Sequence, residues 1–206
     1  MIAIIDYGIG NLFSVVSSFK YIGADAIVTS DPEKIKECDR ILLPGVGAFE
    51  DAAKKLRETG LDKVIIKEAE AGKPILGICL GMQMLFEKSY EYGEHNGLGL
   101  LKGRVIGMQG VIDEKLQIPH IGYNDLIFKK NHPLLKYINE GDFVYFVHSY
   151  YAVDCDDSLV AYAEYDKDIT AIVAKDNVMG CQFHPEKSGE VGLNILRAFC
   201  EMETVK

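Results

Sequence analysis

Four short runs in the first eighty residues are apolar through most of their length: IAIIDY (2–7), AIVTS (26–30), RILLP (40–44) and PILGI (74–78). A strand with one wet face alternates apolar and polar residues, whereas a continuous run marks a strand covered on both faces. Helical signals lie between the runs. Leu12, Val15, Val16, Phe19 and Ile22 recur on one helical face, with Asn11 placed to cap that helix and Gly23 to end it. Ser30 or Asp31 can cap a second helix whose first turn holds Pro32 and Glu33, and residues from about Phe49 to Gly72 read as helical. Strands separated by helices, with IAIIDY and RILLP covered on both faces, leave few folds open. They imply right-handed crossovers and a parallel sheet.

The second half has a different rhythm. GLGLLKGRVIGM, HIGYNDLIF, DFVYFVHSYYAV, LVAYAEY and ITAIVAKDNVMGCQF are strand-like and separated by short turn signals, with Asp176-Asn177 set for a hairpin. From Gly189 to Glu203, Leu193, Leu196, Phe199, Cys200 and Glu203 fall at helical spacing, which predicts a closing amphipathic helix. The expected architecture is α/β: a flavodoxin-like, mostly parallel central sheet flanked by helices, with additional antiparallel strands in the C-terminal half. One domain over 1–206 fits that length.

The formal charge of −9 argues against nucleic acid or an anionic membrane as partner, since both require basic patches. No apolar stretch reaches spanning length, and MIAIIDYG lacks the basic start of a signal peptide. The cysteines are Cys38, Cys79, Cys155, Cys181 and Cys200, an odd and scattered set without a C-x-x-C pair. This reads as reduced thiols in a cytoplasmic protein, with no metal site.

One of those cysteines stands out by its setting. Gly77-Ile78-Cys79-Leu80-Gly81 is G-x-C-x-G at a strand-to-helix junction, the nucleophile-elbow pattern with sulfur for the serine oxygen. A tight turn there lifts the side chain clear of the sheet edge, and the glycines remove Cβ atoms that would collide with it. A helix beginning after a thiol favours its anionic form, and the Leu80 amide is left where an oxyanion would form.

A nucleophile needs a base, and the histidines available are His95, His120, His132, His148 and His184. His184 follows the apolar run VMGCQF, at the strand end where parallel α/β sheets hold their ligands. Glu186 lies two residues on, across the stiff Pro185, and can orient the ring. Cys79, His184 and Glu186 thus form a candidate nucleophile, base and orienting acid. Pro44-Gly45-Val46-Gly47, after the third strand, makes a turn with free amides able to bind an oxyanion or phosphate. It is not a dinucleotide fingerprint, because Glu50 occupies the third glycine position.

Together PGVG, GICLGMQ and FHPEKS resemble the triad class of glutamine amidotransferases. Within that class, IIDYGIGN, PGVGAF, PHIGYN and VHSYYA, in that order, resemble the glutaminase subunits of imidazole glycerol phosphate synthase. The resemblance implies that Cys79 attacks the side-chain amide of substrate glutamine, that His184 protonates departing ammonia and then activates water, and that Glu186 orients His184. It implies an oxyanion hole from Leu80 and the Gly45–Val46–Gly47 turn, a substrate contact at Gln83, and a glutamine pocket lined by His148, Ser149 and Tyr150. No cofactor enters. The ammonia passes to a partner in a heterodimer, a (β/α)8-barrel cyclase that makes imidazole glycerol phosphate and an aminoimidazole carboxamide ribotide in histidine biosynthesis. Asn11, Tyr123 and Lys187 are the implied interface residues. Tyr123 stands where these subunits usually carry tryptophan, so the interface is expected to keep an aromatic plate with altered packing. Rival readings are a stand-alone hydrolase of γ-glutamyl or peptide bonds, the glutaminase of another synthase such as that for pyridoxal phosphate, and a non-catalytic module of the same fold.

Overall fold

The computed structural model describes residues 1–204. Strands β1 (Ile2–Ile5), β2 (Ala26–Thr29), β3 (Arg40–Leu43) and β4 (Ile75–Ile78) alternate with helices α1 (Leu12–Tyr21), α2 (Pro32–Glu37), α3 (Phe49–Thr59) and α4 (Leu61–Glu70). The short α5 (Leu80–Met84) follows β4. Then come β5 (Phe86–Ser89), β6 (His95–Asn96), β7 (Leu101–Gly107), β8 (His120–Asp125), β9 (Ile127–Phe128), β10 (Phe143–His148) and β11 (Tyr150–Val153). The chain closes with β12 (Leu159–Tyr165), β13 (Lys167–Lys175), β14 (Val178–Cys181) and α6 (Gly189–Cys200).

The central sheet has eight strands in the order β2-β1-β3-β4-β14-β13-β12-β9. From β2 to β14 the neighbours run parallel; β13, β12 and β9 extend the sheet antiparallel. This is the flavodoxin-like order, with β14 in the place of the fifth parallel strand. The apolar runs explain it. Every residue of β1, β4 and β14 is buried, as strands in the middle of a two-faced sheet must be. AIVTS forms the edge strand β2, where Val28 is exposed. On one face Phe19 of α1 and Leu196 and Phe199 of α6 pack with Ile4 and Ile78. On the other, Leu56 of α3 and Ile65 of α4 pack with Ile5 and Leu43.

Three expectations change. The helical stretch from Phe49 to Gly72 is two helices, because Gly60 adopts a left-handed φ of 72° and caps α3. The helix after Cys79 stops at Met84. Leu98, Leu100 and Leu101 donate to the carbonyls of Met84 and Leu85, so the returning segment takes the acceptors a further helical turn would have used. The chain instead enters a second sheet, β11-β7-β5-β6. DFVYFVHSYYAV divides at Ser149 into β10, which pairs with β8, and β11, which pairs with β7. The additional antiparallel strands are present as expected, and β14 returns beside them to lie parallel to β4, in the register Gly180 to Gly77 and Cys181 to Ile78. That return brings the C-terminal ends of β3, β4 and β14 side by side.

Candidate active site

Cys79 lies one residue past β4 with φ 53° and ψ −111°, a backbone state costly for a residue with a side chain. The neighbouring contacts hold it there. Its amide donates to the Cys181 carbonyl at 2.8 Å, which ties the elbow to β14. A Cβ on Gly77 would lie 2.6 Å from the Gly81 carbonyl oxygen, and one on Gly81 would lie 1.8 Å from that of Leu43. The glycines are therefore needed for backbone-to-backbone contact rather than for unusual dihedrals of their own. The Leu80 amide opens α5, where no preceding turn exists to accept it.

The Pro44–Gly47 turn closes one side. Tyr7, in the loop after β1, donates its hydroxyl to the Pro44 carbonyl at 2.8 Å. Burial and the nearby Cys79 keep the Tyr7 phenol protonated far above its ordinary range. A Cβ on Gly45 would lie 2.7 Å from the Tyr7 oxygen and 2.9 Å from the Gly81 nitrogen, so Gly45 is wedged against the elbow. Gly47, with φ 89° and nothing within 4 Å of an added Cβ, has the freer backbone.

His184 lies three residues past β14. Its amide donates to the Tyr145 carbonyl at 2.9 Å, and the Ser188 hydroxyl, which donates to the His184 carbonyl at 2.6 Å, accepts from the Tyr145 amide. The 3-10 turn Pro185–Lys187 swings Glu186 back under the ring, where His184 Nδ1–H donates to Glu186 Oε1 at 2.7 Å with both side chains buried. This tautomer turns Nε2 to the Cys79 side. Burial works against the imidazolium, but hydrogen bonding to Cys79 and Glu186 and the charges of both outweigh it and raise His184 to about 9. The interaction with Cys79 is looser than full hydrogen-bond geometry, as is common before substrate arrives. The aligned donor to the sulfur is Gln182 Nε2, at 3.7 Å.

These groups line a cleft of about 540 Å³ together with Val46, Gly47, Leu80, Gln83, His148, Ser149, Tyr150 and Lys187. The expected substrate-side residues thus share one cavity with Cys79 and His184; Gly45 lies just behind its wall. Several are already committed inside the protein. Gln83 Nε2 donates to the Tyr150 carbonyl and to Gln182 Oε1, each at 3.0 Å, which leaves its own Oε1 for a ligand. His148 Nδ1–H donates to the Tyr150 carbonyl at 2.8 Å, and its Nε2 accepts from His120 at 3.2 Å. Burial, together with the neighbouring His120 and His184, holds His148 down to about 3, so the ring is neutral.

Of the expected interface residues, Tyr123 and Lys187 meet at the rim. The Tyr123 hydroxyl donates to the Lys187 carbonyl at 2.9 Å, and both side chains pack on the Tyr145 ring. Asn11 stands apart as the cap of α1, its carbonyl oxygen accepting from the Ser14 amide.

Two further groups escaped the sequence reading, Glu91 on the cleft wall and Gln182 buried behind the sulfur. Glu91, in the loop after β5, accepts from the Phe49 amide at 2.7 Å, and burial pushes its carboxyl up despite that bond. It sits in a stretch without periodicity, so nothing local marked it. Gln182 had a signal: it is a polar residue inside an apolar strand run.

A thiol on an elbow, an imidazole–carboxylate pair and open amides thus stand together at the ends of adjacent parallel strands. Residues 3–202 match the family model described as glutamine amidotransferase class-I, and the chain belongs to that family. Among solved structures, one described as a glutamine amidotransferase superposes with TM-score 0.74 at 19% identity, covering 96% of this chain and 98% of that one. PurLQS from Thermotoga maritima superposes with TM-score 0.73 at 25% identity, covering 96% of both chains. Sequence relatives narrow the class. The chain is 54% identical over 203 residues, 98% of each chain, to the imidazole glycerol phosphate synthase subunit HisH of Caldanaerobacter subterraneus subsp. tengcongensis. It is 53% identical over 201 residues to the HisH subunit of Lactococcus lactis subsp. lactis, covering 97% of this chain and 98% of that one. Within the class it falls among the HisH subunits.

Proposed function

We propose that this chain hydrolyses glutamine to glutamate and ammonia at Cys79, His184 and Glu186, and hands the ammonia to a cyclase subunit, a (β/α)8 barrel, for imidazole glycerol phosphate synthesis in the cytoplasm. The observation that carries the reading is the meeting of a strained elbow thiol with a buried imidazole–carboxylate pair in one cleft.

Glutamine enters with its side-chain amide at the sulfur. Glu91, a partly buried carboxylate on the cleft wall, is placed to take the substrate's α-ammonium group. The Cys79 sulfur attacks the amide carbon, and the carbonyl oxygen becomes an oxyanion facing the Leu80 amide and those of Val46 and Gly47. A His184 raised to about 9 is an imidazolium at neutral pH, the form that can give a proton. It protonates the amide nitrogen, the C–N bond breaks, and ammonia leaves a γ-glutamyl thioester on Cys79. The now neutral His184 takes a proton from water, whose oxygen attacks the thioester carbon. The C–S bond breaks, glutamate departs, and the sulfur and imidazolium are restored. Glu186 holds the ring throughout, its Oε1 accepting from His184 Nδ1–H.

Support for a docked partner comes from the rim. Tyr123 and Ile121 alternate outward from β8 and are exposed, as is Phe13 beside the Asn11 cap. Large apolar side chains left exposed on a surface are a usual mark of an interface. The test is glutamine turnover by the purified chain with its barrel partner. Turnover should vanish in Cys79→Ala while folding persists, and activity retained in that variant would sink the reading.

A further inference from the structure

Gln83 and Gln182 are both buried, the latter completely, and a buried amide is costly unless its polar atoms are paired. Their pairing has a fixed direction. The Tyr150 carbonyl can only accept, so the end of Gln83 at 3.0 Å from it must be the NH2 group. That same NH2 lies 3.0 Å from Gln182, which must therefore present its oxygen. The remaining end of Gln182, its own NH2, faces the Cys79 sulfur at 3.7 Å. His148 strengthens the anchor, because its Nδ1–H donates to the same Tyr150 carbonyl at 2.8 Å. A backbone carbonyl on β11 thus dictates, through two side chains, that the nucleophile meets a donor. Were Gln182 reversed, its oxygen would face the sulfur and repel a thiolate.

We propose that Gln182 is a catalytic residue that donates its Nε2–H to the Cys79 thiolate and fixes the sulfur in the line of attack, and that Gln83 is the positioning residue that sets which end of Gln182 faces the sulfur. The proposal rests on the reading of Cys79 as nucleophile. It assigns the two nitrogen donors around the sulfur different tasks. His184 must let go of its proton in each turnover, whereas the amide keeps its protons and supplies a constant dipole. An amide is suited to this because it does not titrate. The titratable groups facing Cys79 are Tyr7 in the loop after β1, Cys181 from β14, and His184 beyond it with Glu186 behind. Substitution at Gln182 changes none of them.

The experiment is alkylation of the full chain by iodoacetamide across pH, read at Cys79 by peptide mass spectrometry, for the unaltered chain, Gln182→Met, Gln83→Met and the double variant. Methionine keeps length and apolar volume and removes the donor. A hydrogen bond to a charged group corresponds to about one pH unit of midpoint shift. Gln182→Met should therefore raise the midpoint by about one unit and slow alkylation about tenfold below it. Gln83→Met should shift it the same way by less, and the double variant should match Gln182→Met alone. With the barrel partner present, kcat for glutamine should fall about tenfold in Gln182→Met with KM unchanged. An unaltered alkylation midpoint in a folded Gln182→Met overturns the proposal. If that variant does not fold, Gln83→Met carries the same test, and an unaltered midpoint there overturns it too. Failure of the nucleophile reading looks different: with Gln182 intact, label falls on another cysteine, or Cys79→Ala still hydrolyses glutamine.

Discussion

Gly81→Ala sets two effects of opposite sign against each other. Gly81 is the second residue of α5, and helix propensity alone favours alanine over glycine by about 0.8–1.0 kcal/mol. Packing says the reverse. An alanine Cβ would fall 1.8 Å from the Leu43 carbonyl oxygen, 2.8 Å from its carbon and 3.2 Å from the Pro44 carbon. Nonbonded carbon contacts lie at about 3.5–4.0 Å, so α5 and the end of β3 must part by roughly 1.5 Å. Both are backbone, and Leu43 is held in register with Gly77 across β3 and β4, so no side chain can yield instead. Overpacking costs about 1–3 kcal/mol, and more where no rotamer relieves it. With the propensity gain subtracted from the upper end of that range, a net loss of roughly 2 kcal/mol is expected, equivalent to about 4–8 °C in melting temperature for a chain of this size. The functional loss should be larger than the stability loss. The same displacement separates the Leu80 amide and Cys79 from the Pro44–Gly47 turn, and a misplacement of about 1 Å at reacting groups costs on the order of 100-fold in rate. Thermal unfolding and partner-supported glutamine turnover measure the two halves. Gly60→Ala is the control: φ is 72° with nothing within 4 Å of the added Cβ, so it should cost only about 1–2 kcal/mol of backbone strain and no activity. A Gly81→Ala chain that melts like the unaltered one and turns over glutamine normally would show that the Leu43 contact does not set the elbow.

Cys79→Ala and Glu186→Gln should each lower the His184 titration midpoint from about 9, because each removes a polar contact and a charge favouring the imidazolium; histidine NMR reads this, and an unmoved midpoint refutes the coupling. Because His184 binds its proton more tightly folded than unfolded, where its midpoint is about 6.5, its contribution to stability is full below pH 6.5 and lost between 6.5 and about 9. That contribution is roughly 3 kcal/mol, so urea unfolding should show a decline over this window that shrinks in Glu186→Gln. Val46→Pro removes one amide of the oxyanion turn and should cost partner-supported turnover about 10²–10³-fold, the worth of one such donor. If the proposed docking at the rim holds, Tyr123→Ala should weaken binding of the barrel subunit by about tenfold in a titration calorimeter, and unchanged binding takes Tyr123 out of the interface.

Much of this was legible because local chemistry and global packing agree in the first half. IAIIDY and RILLP read as doubly covered strands, and Ile2–Ile5 and residues 41–43 are buried. Asn11 and one of Ser30 or Asp31 read as caps, and Asn11 and Asp31 accept the amides of Ser14 and Glu33. The elbow was visible because G-x-C-x-G needs glycine for steric reasons that survive translation into sequence. What stayed hidden depended on partners far along the chain. The end of α5 at Met84 is decided by Leu98, Leu100 and Leu101 taking its carbonyls, and no property of MQMLF announces that. Glu91 enters the cleft only because the Phe49 amide, 42 residues earlier in sequence, fixes it.

The relation of Cys79 to His184 belongs to the same hidden class, and its cause is topological. Strands β5 through β13 intervene between β4 and β14, yet β14 lies against β4 with Cys181 opposite Ile78. That register makes the site. Cys79 is one residue beyond Ile78, and His184 three beyond Cys181, so both emerge at the same edge. A slip of β14 by one residue would reverse which face each of its side chains meets, moving Gln182 away from the sulfur. Two contacts oppose such a slip. The Cys79 amide is bonded to the Cys181 carbonyl, and a Cβ on Gly180 would lie 2.6 Å from Met82 Cγ on α5. The hairpin at Asp176 and Asn177 adds a third, since Asn177 Nδ2 donates to the carbonyls of Ala69 and Lys73, just before β4. The turn that starts β14 is thus pinned to the segment that starts β4, and the two strands that lead to Cys79 and His184 are measured from a common origin.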